Sequence, residues 1–98
     1  MNMQNLMREA QKMQAELTKT QKELESTSYD GSSSLVNVTV NGKKDIVKLE
    51  IIDKENFDMD DLEMLEDMVL VAIQDAFKKA DKDKENKMSK YQGLSGLL

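Results

Sequence analysis

The sequence predicts an α+β fold in which a small antiparallel sheet lies between two long helices. Two β-branched runs, residues 35–40 and 45–52, are separated by an Asn-Gly pair, which is a strong hairpin signal between alternating apolar residues. Stretches with helical periodicity precede and follow this hairpin. At 98 residues the chain has the length of a single domain. We therefore divide it into a helical arm (1–25), a strand region (26–52), a second helical arm (58–88) and a mobile tail (89–98).

The first arm carries an apolar seam with the heptad spacing of a coiled coil. Its members alternate at spacings of three and four residues: Met3, Leu6, Ala10, Met13, Leu17, Thr20 and Leu24. No glycine or proline interrupts the segment, and good helix formers dominate it. Because alanine and threonine occupy seam positions, we expect this helix to pack on the second arm and not to form a coiled coil alone.

The serine-rich segment 26–34 ends the first helix, because serine and threonine side chains compete for backbone hydrogen bonds. Gly31 allows a turn within it. We interpret the segment as a polar connector, in which residues 26–30 could form a short third strand beside the hairpin. The chain has no histidine and no Gly-x-Ser-x-Gly motif, which argues against a nucleophilic serine.

The second arm has its own apolar stripe. Its members are Leu62, Leu65, Val69, Ala72, Ile73, Ala76 and Ala80. Asp58 is a candidate N-cap, and the acids of the first turn suit the positive end of the helix dipole. Residues 81–87 are polar all round, so we expect this end of the helix to project into solvent.

The charge is distributed unevenly along the chain. The net charge is −5, but residues 1–25 sum to zero, residues 26–77 to −8 and residues 78–98 to +3. We expect the arms to pack antiparallel, with Leu24 near Leu62 and Met13 near Ile73. The cations of both arms would then collect at the tip farthest from the acidic middle, where the local field could steer a charged ligand.

The absence of cysteine and histidine excludes several kinds of site. Thiol nucleophiles, disulfides, Ser-His-Asp triads and the usual zinc and iron sites all need residues that this chain lacks. We expect no enzyme activity, no metal, no cofactor and no small-molecule substrate. The apolar runs are too short to span a bilayer and the amino terminus lacks a signal-peptide pattern, so we expect a cytoplasmic protein without a membrane partner.

The core predicted for one chain is small. There are two Phe, two Tyr and no Trp, and an isolated hairpin is marginal in water. We therefore expect a homo-oligomer with the sheet as its interface. The predicted interface residues are Val36, Val38, Val40, Val47, Leu49 and Ile51.

Four strings stand in a fixed order along the chain: residues 3–14 (MQNLMREAQKMQ), 35–42 (LVNVTVNG), 62–76 (LEMLEDMVLVAIQDA) and 78–81 (KKAD). In their order and spacing they resemble the YbaB/EbfC family of bacterial nucleoid-associated proteins. The resemblance implies a tweezer-like homodimer whose helical arms bind double-stranded DNA. It further implies a location in the nucleoid and a role in nucleoid organisation and gene expression, without catalysis.

Under this interpretation the cations of the arm tips neutralise DNA phosphates. The predicted DNA-binding residues are Arg8, Lys12, Lys79, Lys82, Lys84 and Lys87. The alternative is a protein-binding module, because a hairpin with two helical arms is also the layout of prefoldin-type chaperones. Met3, Met7 and Met88 would offer such clients adaptable apolar contacts at the helical tips.

Overall fold

The computed structural model describes residues 2–91 and confirms the α+β class, with the sheet between two long helices. Its helices are α1 (Met3–Ser26) and α2 (Leu62–Met88), and its strands are β1 (Ser28–Ser33), β2 (Val36–Asn41) and β3 (Ile46–Ile51). Short 3-10 turns cover Lys54–Asn56, Met59–Asp61 and Ser89–Tyr91. The molecule is elongated, with extents of 71 × 18 × 15 Å.

Local side-chain bonds fix both ends of α1. The Asn2 side chain accepts a hydrogen bond from the Gln4 backbone N–H at 3.1 Å, which satisfies a donor left free in the first turn. At the other end the Ser26 and Thr27 hydroxyls both donate to the Glu23 carbonyl, at 3.1 and 2.6 Å. These bonds satisfy a last-turn carbonyl and end the helix where the serine-rich segment predicts.

The possible third strand beside the hairpin is confirmed, and it covers Ser28–Ser33 where the sequence suggested a short strand within residues 26–30. β1 pairs with β2 along its whole length, from Ser28 opposite Asn41 to Ser33 opposite Val36. Gly31 lies buried under α2, and a Cβ there would collide with the Ala72 carbonyl oxygen and the Ala76 nitrogen. The strand forms because its small residues let a helix backbone lie directly against it.

The hairpin between β2 and β3 closes through a longer loop than the Asn-Gly pair predicts. The Asn41 side-chain oxygen accepts hydrogen bonds from the backbone N–H groups of Lys43 and Asp45, each at 3.0 Å. Lys44 has the positive φ of 66° in this loop, and Gly42 has a negative φ. Gly42 serves a different purpose, since a Cβ there would collide with the Leu24 carbonyl of α1.

The core lies between the sheet and α2. Val36, Val38 and Val40 point from β2 toward the helix and are at most 1% exposed. They pack with the three buried alanines of α2, which are Ala72, Ala76 and Ala80. The alanines let α2 approach β1 and β2 closely, while much of the apolar surface of β3 stays exposed.

The helices are antiparallel, but their predicted register is wrong. Leu24 lies beside Ala80 and Lys84, near the carboxyl end of α2, and not beside Leu62. The Thr20 hydroxyl lies 3.5 Å from that of Tyr91. The third strand is the cause. After three antiparallel strands the chain leaves the sheet at the end opposite to the one where α1 enters it, so α2 must cross the sheet before it meets α1.

The start of α2 and the tail depart from expectation in small ways. Asp58 caps a 3-10 turn by accepting the Asp60 N–H at 3.2 Å, and α2 proper begins at Leu62. Of the tail predicted over 89–98, residues 89–91 form a 3-10 turn in which Tyr91 is only 4% exposed. The remaining residues of that prediction, 92–98, lie outside the described part of the chain.

Candidate nucleic-acid interface

The last third of α2 is the basic end of the molecule. Six lysines and three acids between residues 78 and 91 give this segment a charge of +3. Acids that stand one turn before lysines give this part of the helix local support. Asp75 pairs with Lys79 at 3.3 Å and Asp83 pairs with Lys87 at 3.0 Å, both in the favourable i, i+4 order.

Lys79 is occupied by contacts within the protomer. Its ammonium donates to the Asp30 carbonyl oxygen of β1 at 2.9 Å and lies 3.3 Å from Asp75. Asp75 also accepts the Ser32 backbone N–H at 3.1 Å. That backbone bond, followed by the bond from Lys79, holds the pKa of Asp75 below its usual value. Together Lys79 and Asp75 clasp the edge of β1 to α2.

Lys87 belongs to a second link between the sheet and α2. The Tyr29 hydroxyl donates to Asp83 at 2.6 Å, and the same carboxylate oxygen lies 3.0 Å from the Lys87 ammonium. Burial, then the hydrogen bond to Asp83, raises the pKa of Tyr29 to about 12. The bonds from Tyr29 and Lys87 lower the pKa of Asp83, so this carboxylate is ionised at neutral pH.

The unpaired lysines of α2 lie on both sides of these two links. Lys82 and Lys84 are exposed and form no salt bridge with any residue in 2–91. The same is true of Lys78, which the sequence prediction missed. Its spacing of four from Lys82 could have indicated it, because residues i and i+4 share one face of a helix. Lys78 and Lys82 therefore form a basic pair free to contact an anion.

The β2–β3 loop adds two cations that the prediction also missed. Lys44 pairs with Asp81 at 2.9 Å, and Lys43 lines the same shallow cavity as Lys84, between the loop and the two helices. The pair with Lys44 neutralises the negative charge of Asp81 at the basic end. No spacing rule signals this placement, because it depends on how the hairpin folds back onto α2.

Arg8 and Lys12 are exposed on the free part of α1. At 1.5 Å per residue, Arg8 stands about 18 Å along α1 from Thr20, whose hydroxyl lies 3.5 Å from that of Tyr91 in the turn after α2. The structure therefore separates these two cations from the α2 lysines. They do not form the single tip expected from the sequence.

The acidic end of the molecule is too distant to cancel the basic end. Residues 53–67 hold eight acids and one lysine, a charge of −7. Asp67 and Lys82 are separated along α2 by about 22 Å, at 1.5 Å per residue. Screening acts over about 8 Å at physiological salt, so the fields of the two ends are largely independent there.

The predicted interface residues fall into two groups. Val36, Val38 and Val40 are buried by α2 of their own protomer, which leaves them no surface for a partner. The β3 residues are more open: Val47 is 62% exposed, Leu49 is 43% exposed, and Ile51 is partly exposed.

Neither a membrane span nor a metal cluster is found in residues 2–91. No helix there has the length and apolar character to cross a bilayer. No group of three or more acidic side chains in this range is arranged to hold a metal ion.

Comparison with known proteins gives a consistent result. The sequence model of the YbaB/EbfC DNA-binding family matches residues 1–95. A nucleoid-associated protein of Clostridium novyi is 43% identical over 95 residues, which cover 95% of this chain and 82% of that protein. A nucleoid-associated protein of Streptococcus suis is 40% identical over 95 residues, covering 95% of each chain.

The fold is also similar to that of a solved protein. The crystal structure of an uncharacterized protein from Helicobacter pylori superposes with a TM-score of 0.68. It shares 23% identity and covers 88% of this chain and 91% of that chain, which supports the fold alone. The matched family is one of DNA-binding proteins and not of enzymes. From the match over residues 1–95 and the identity to its relatives, we conclude that the chain belongs to the YbaB/EbfC DNA-binding family.

Proposed function

We propose that this protein binds double-stranded DNA as a homodimer and contributes to nucleoid organisation and the regulation of gene expression. Its family and the names of its relatives support DNA as the partner and the nucleoid as its location. The observation that carries the proposal is the group of unpaired lysines at the basic end of α2, remote from the acidic end. The members of this group within the helix are Lys78, Lys82 and Lys84.

Contact with the phosphate backbone fits these side chains best. Lysine ammonium groups act as point charges on phosphates, and such contacts position a protein on DNA without reading its sequence. Arg8 and Lys12, on the free part of α1, would add phosphate contacts farther along the duplex. Lys79 and Lys87 would have to share their charge with Asp75 and Asp83, so we assign them a smaller part.

The homodimer is proposed to form through β3. This edge strand exposes Ile46, Val47 and Leu49 by 49, 62 and 43%, and Leu70 of α2 is 58% exposed. An unpaired strand edge with apolar side chains favours association. A second copy docked there would double the number of lysines available to one duplex.

The direct test is a titration of a labelled duplex with the protein at several salt concentrations, with the mass in solution recorded. A dimer whose affinity falls steeply with salt supports the proposal, because neutralised phosphates release counterions. A monomer, or an absence of binding even at low salt, contradicts it.

One observation favours a second candidate, the prefoldin-like binding of unfolded protein. Met3 and Met7 are 75 and 60% exposed on the free part of α1, where they could contact an apolar client. Added salt weakens contacts with phosphates but does not weaken apolar contacts. Salt-insensitive binding of an unfolded protein, without DNA binding, would select this function.

A further inference from the structure

The backbone of β1 is bonded by two charged side chains of α2. β1 pairs with β2 on one side, so its other side is an edge of the three-stranded sheet. The Ser32 N–H donates to the Asp75 carboxylate at 3.1 Å, and the Asp30 carbonyl oxygen accepts from the Lys79 ammonium at 2.9 Å. Asp75 and Lys79 also pair with each other at 3.3 Å. We call these two side chains the β1 clasp.

The hydrogen-bond pattern of the sheet shows that the clasp lies on the outer edge of β1. In an antiparallel pair the N–H and C=O of one residue point to the same side, and successive residues alternate. The Asn41 N–H donates to the Asp45 carbonyl, on the β3 side, so Val38 bonds toward β1. Val38 lies opposite Gly31. Gly31 therefore bonds β2, and its two neighbours in the strand turn their N–H and C=O groups to the outer edge.

The close approach of α2 lets these side chains reach the edge. Gly31 lies between the two clasped residues, and a Cβ there would collide with the Ala72 carbonyl oxygen and the Ala76 nitrogen. The helix backbone thus lies directly over the strand. Asp75 and Lys79 stand one turn apart on α2, which places both on the same flank of the helix.

β3 forms the opposite edge of the sheet and is not covered in this way. Within residues 2–91, no side chain bonds the backbone of β3. Its side chains Ile46 and Val47 are 49 and 62% exposed. An open edge is a template for pairing with another chain, and charged side chains at an edge prevent such pairing. The sheet therefore has one open edge and one closed edge.

We propose that the β1 clasp closes a second interface for copies of this chain and thereby restricts association to β3. A protomer with one open edge forms a closed two-fold pair, because the pair uses the open edges of both copies. If β1 were open as well, each added copy would present a further edge and assembly would continue. The limit of two chains rests on the homodimer proposed above. The closure of β1 does not rest on it, and neither involves DNA.

The mass in solution of the variant Asp75→Ala/Lys79→Ala, measured without DNA, tests this proposal. Alanine is a good helix former, so α2 should persist while the clasp is lost. We expect a mass at least about twice that of the unmodified protein, because an open β1 edge admits another copy. An unchanged mass over a wide range of protein concentration would overturn the proposal.

The matched control is Asp83→Ala/Lys87→Ala. It removes the same kind of i, i+4 pair from the same helix, but Asp83 accepts from the Tyr29 hydroxyl and not from a strand backbone. The mass of the control should equal that of the unmodified protein. An equal rise in the control would overturn the proposal, because loss of any ion pair from α2 would then cause association.

Adding Ser32→Pro to the clasp variant shows which edge carries the association. Proline is accepted on an edge strand but has no N–H, so it should block pairing at β1 and restore the mass of the unmodified protein. A mass that stays high would overturn the proposal, because association would then use another surface. If the unmodified protein is a monomer, the homodimer through β3 fails, but the clasp variant should still form pairs through β1.

Hydrogen exchange of the unmodified protein tests the clasp without substitutions. The Ser32 and Asp30 amides both face the outer edge, and of these two only the Ser32 amide donates to a side chain of residues 2–91. After correction for intrinsic rates, the Ser32 amide should exchange at least about tenfold more slowly than the Asp30 amide. Equal rates would contradict the closure of β1 even if the clasp variant failed to fold.

Discussion

Neutralising Lys78 and Lys82 should flatten the salt dependence of DNA binding by a calculable amount. Both side chains are exposed, stand four residues apart on one face of α2, and form no salt bridge within residues 2–91. The double variant Lys78→Gln/Lys82→Gln keeps long helix-forming side chains at both positions. We therefore expect the fold to keep its stability while the phosphate contacts are lost.

The magnitude follows from counting contacts. Each neutralised phosphate contributes about −0.9 to the slope of log affinity against log salt. Two lysines in each of two protomers make four contacts, so the slope should become less negative by about 3.6. Between 50 and 200 mM salt, the unmodified protein should lose about 150 times more affinity than the variant. A monomer with two such contacts would change its slope by only about 1.8.

Fluorescence anisotropy of a labelled duplex at several salt concentrations measures this slope. The matched control is Lys48→Gln/Lys54→Gln, which removes the same charge from β3 and from the turn before α2. The control slope should equal that of the unmodified protein. An unchanged slope for the Lys78/Lys82 variant would refute the assignment, and an equal change in the control would show that net charge alone matters.

Three further substitutions test the account. Gly31→Ala should destabilise the fold by about 1–3 kcal/mol in urea unfolding, because its Cβ would meet the α2 backbone, and an unchanged midpoint would argue against that close approach. Leu49→Glu should reduce the mass in solution to the 11.2 kDa of one chain while the helical circular dichroism stays; a persistent dimer would move the interface away from β3. In absorbance titrations Tyr29 should ionise at about pH 12, and Asp83→Asn should lower this midpoint. The hydrogen bond from Tyr29 to Asp83 stabilises the fold below pH 10, and this stabilisation is lost as the pH rises toward 12.

Periodicity was sufficient to predict the long elements of this fold. The stripe from Leu62 to Ala80 places α2 on the sheet, and the valines of β2 alternate between core and surface as expected. The third strand was harder to predict because serine and glycine have low strand propensity. The strand forms because it pairs with β2 and because α2 approaches it closely at Gly31. Both are tertiary contacts, which the local sequence does not reveal.

The site was predictable in its charge but not in its pairings. The excess of lysine after residue 77 is enough to locate the basic end of the molecule. Which lysines are free depends on tertiary contacts: Lys79 bonds Asp30 of β1, and Lys44 reaches Asp81 from a loop. The register of the helices depends on the number of strands, and the expected pairing of the two arms did not take the third strand into account.

The most direct test of the central claim is to map the DNA contact by backbone amide NMR during titration with a short duplex at low salt. We expect the largest shifts at residues 78–88 of α2 and around Arg8 and Lys12 of α1. Residues 53–67, the acidic end, should not change. Shifts centred on residues 53–67, or none in α2 despite binding, would contradict the proposal that the basic end of this helix holds the DNA.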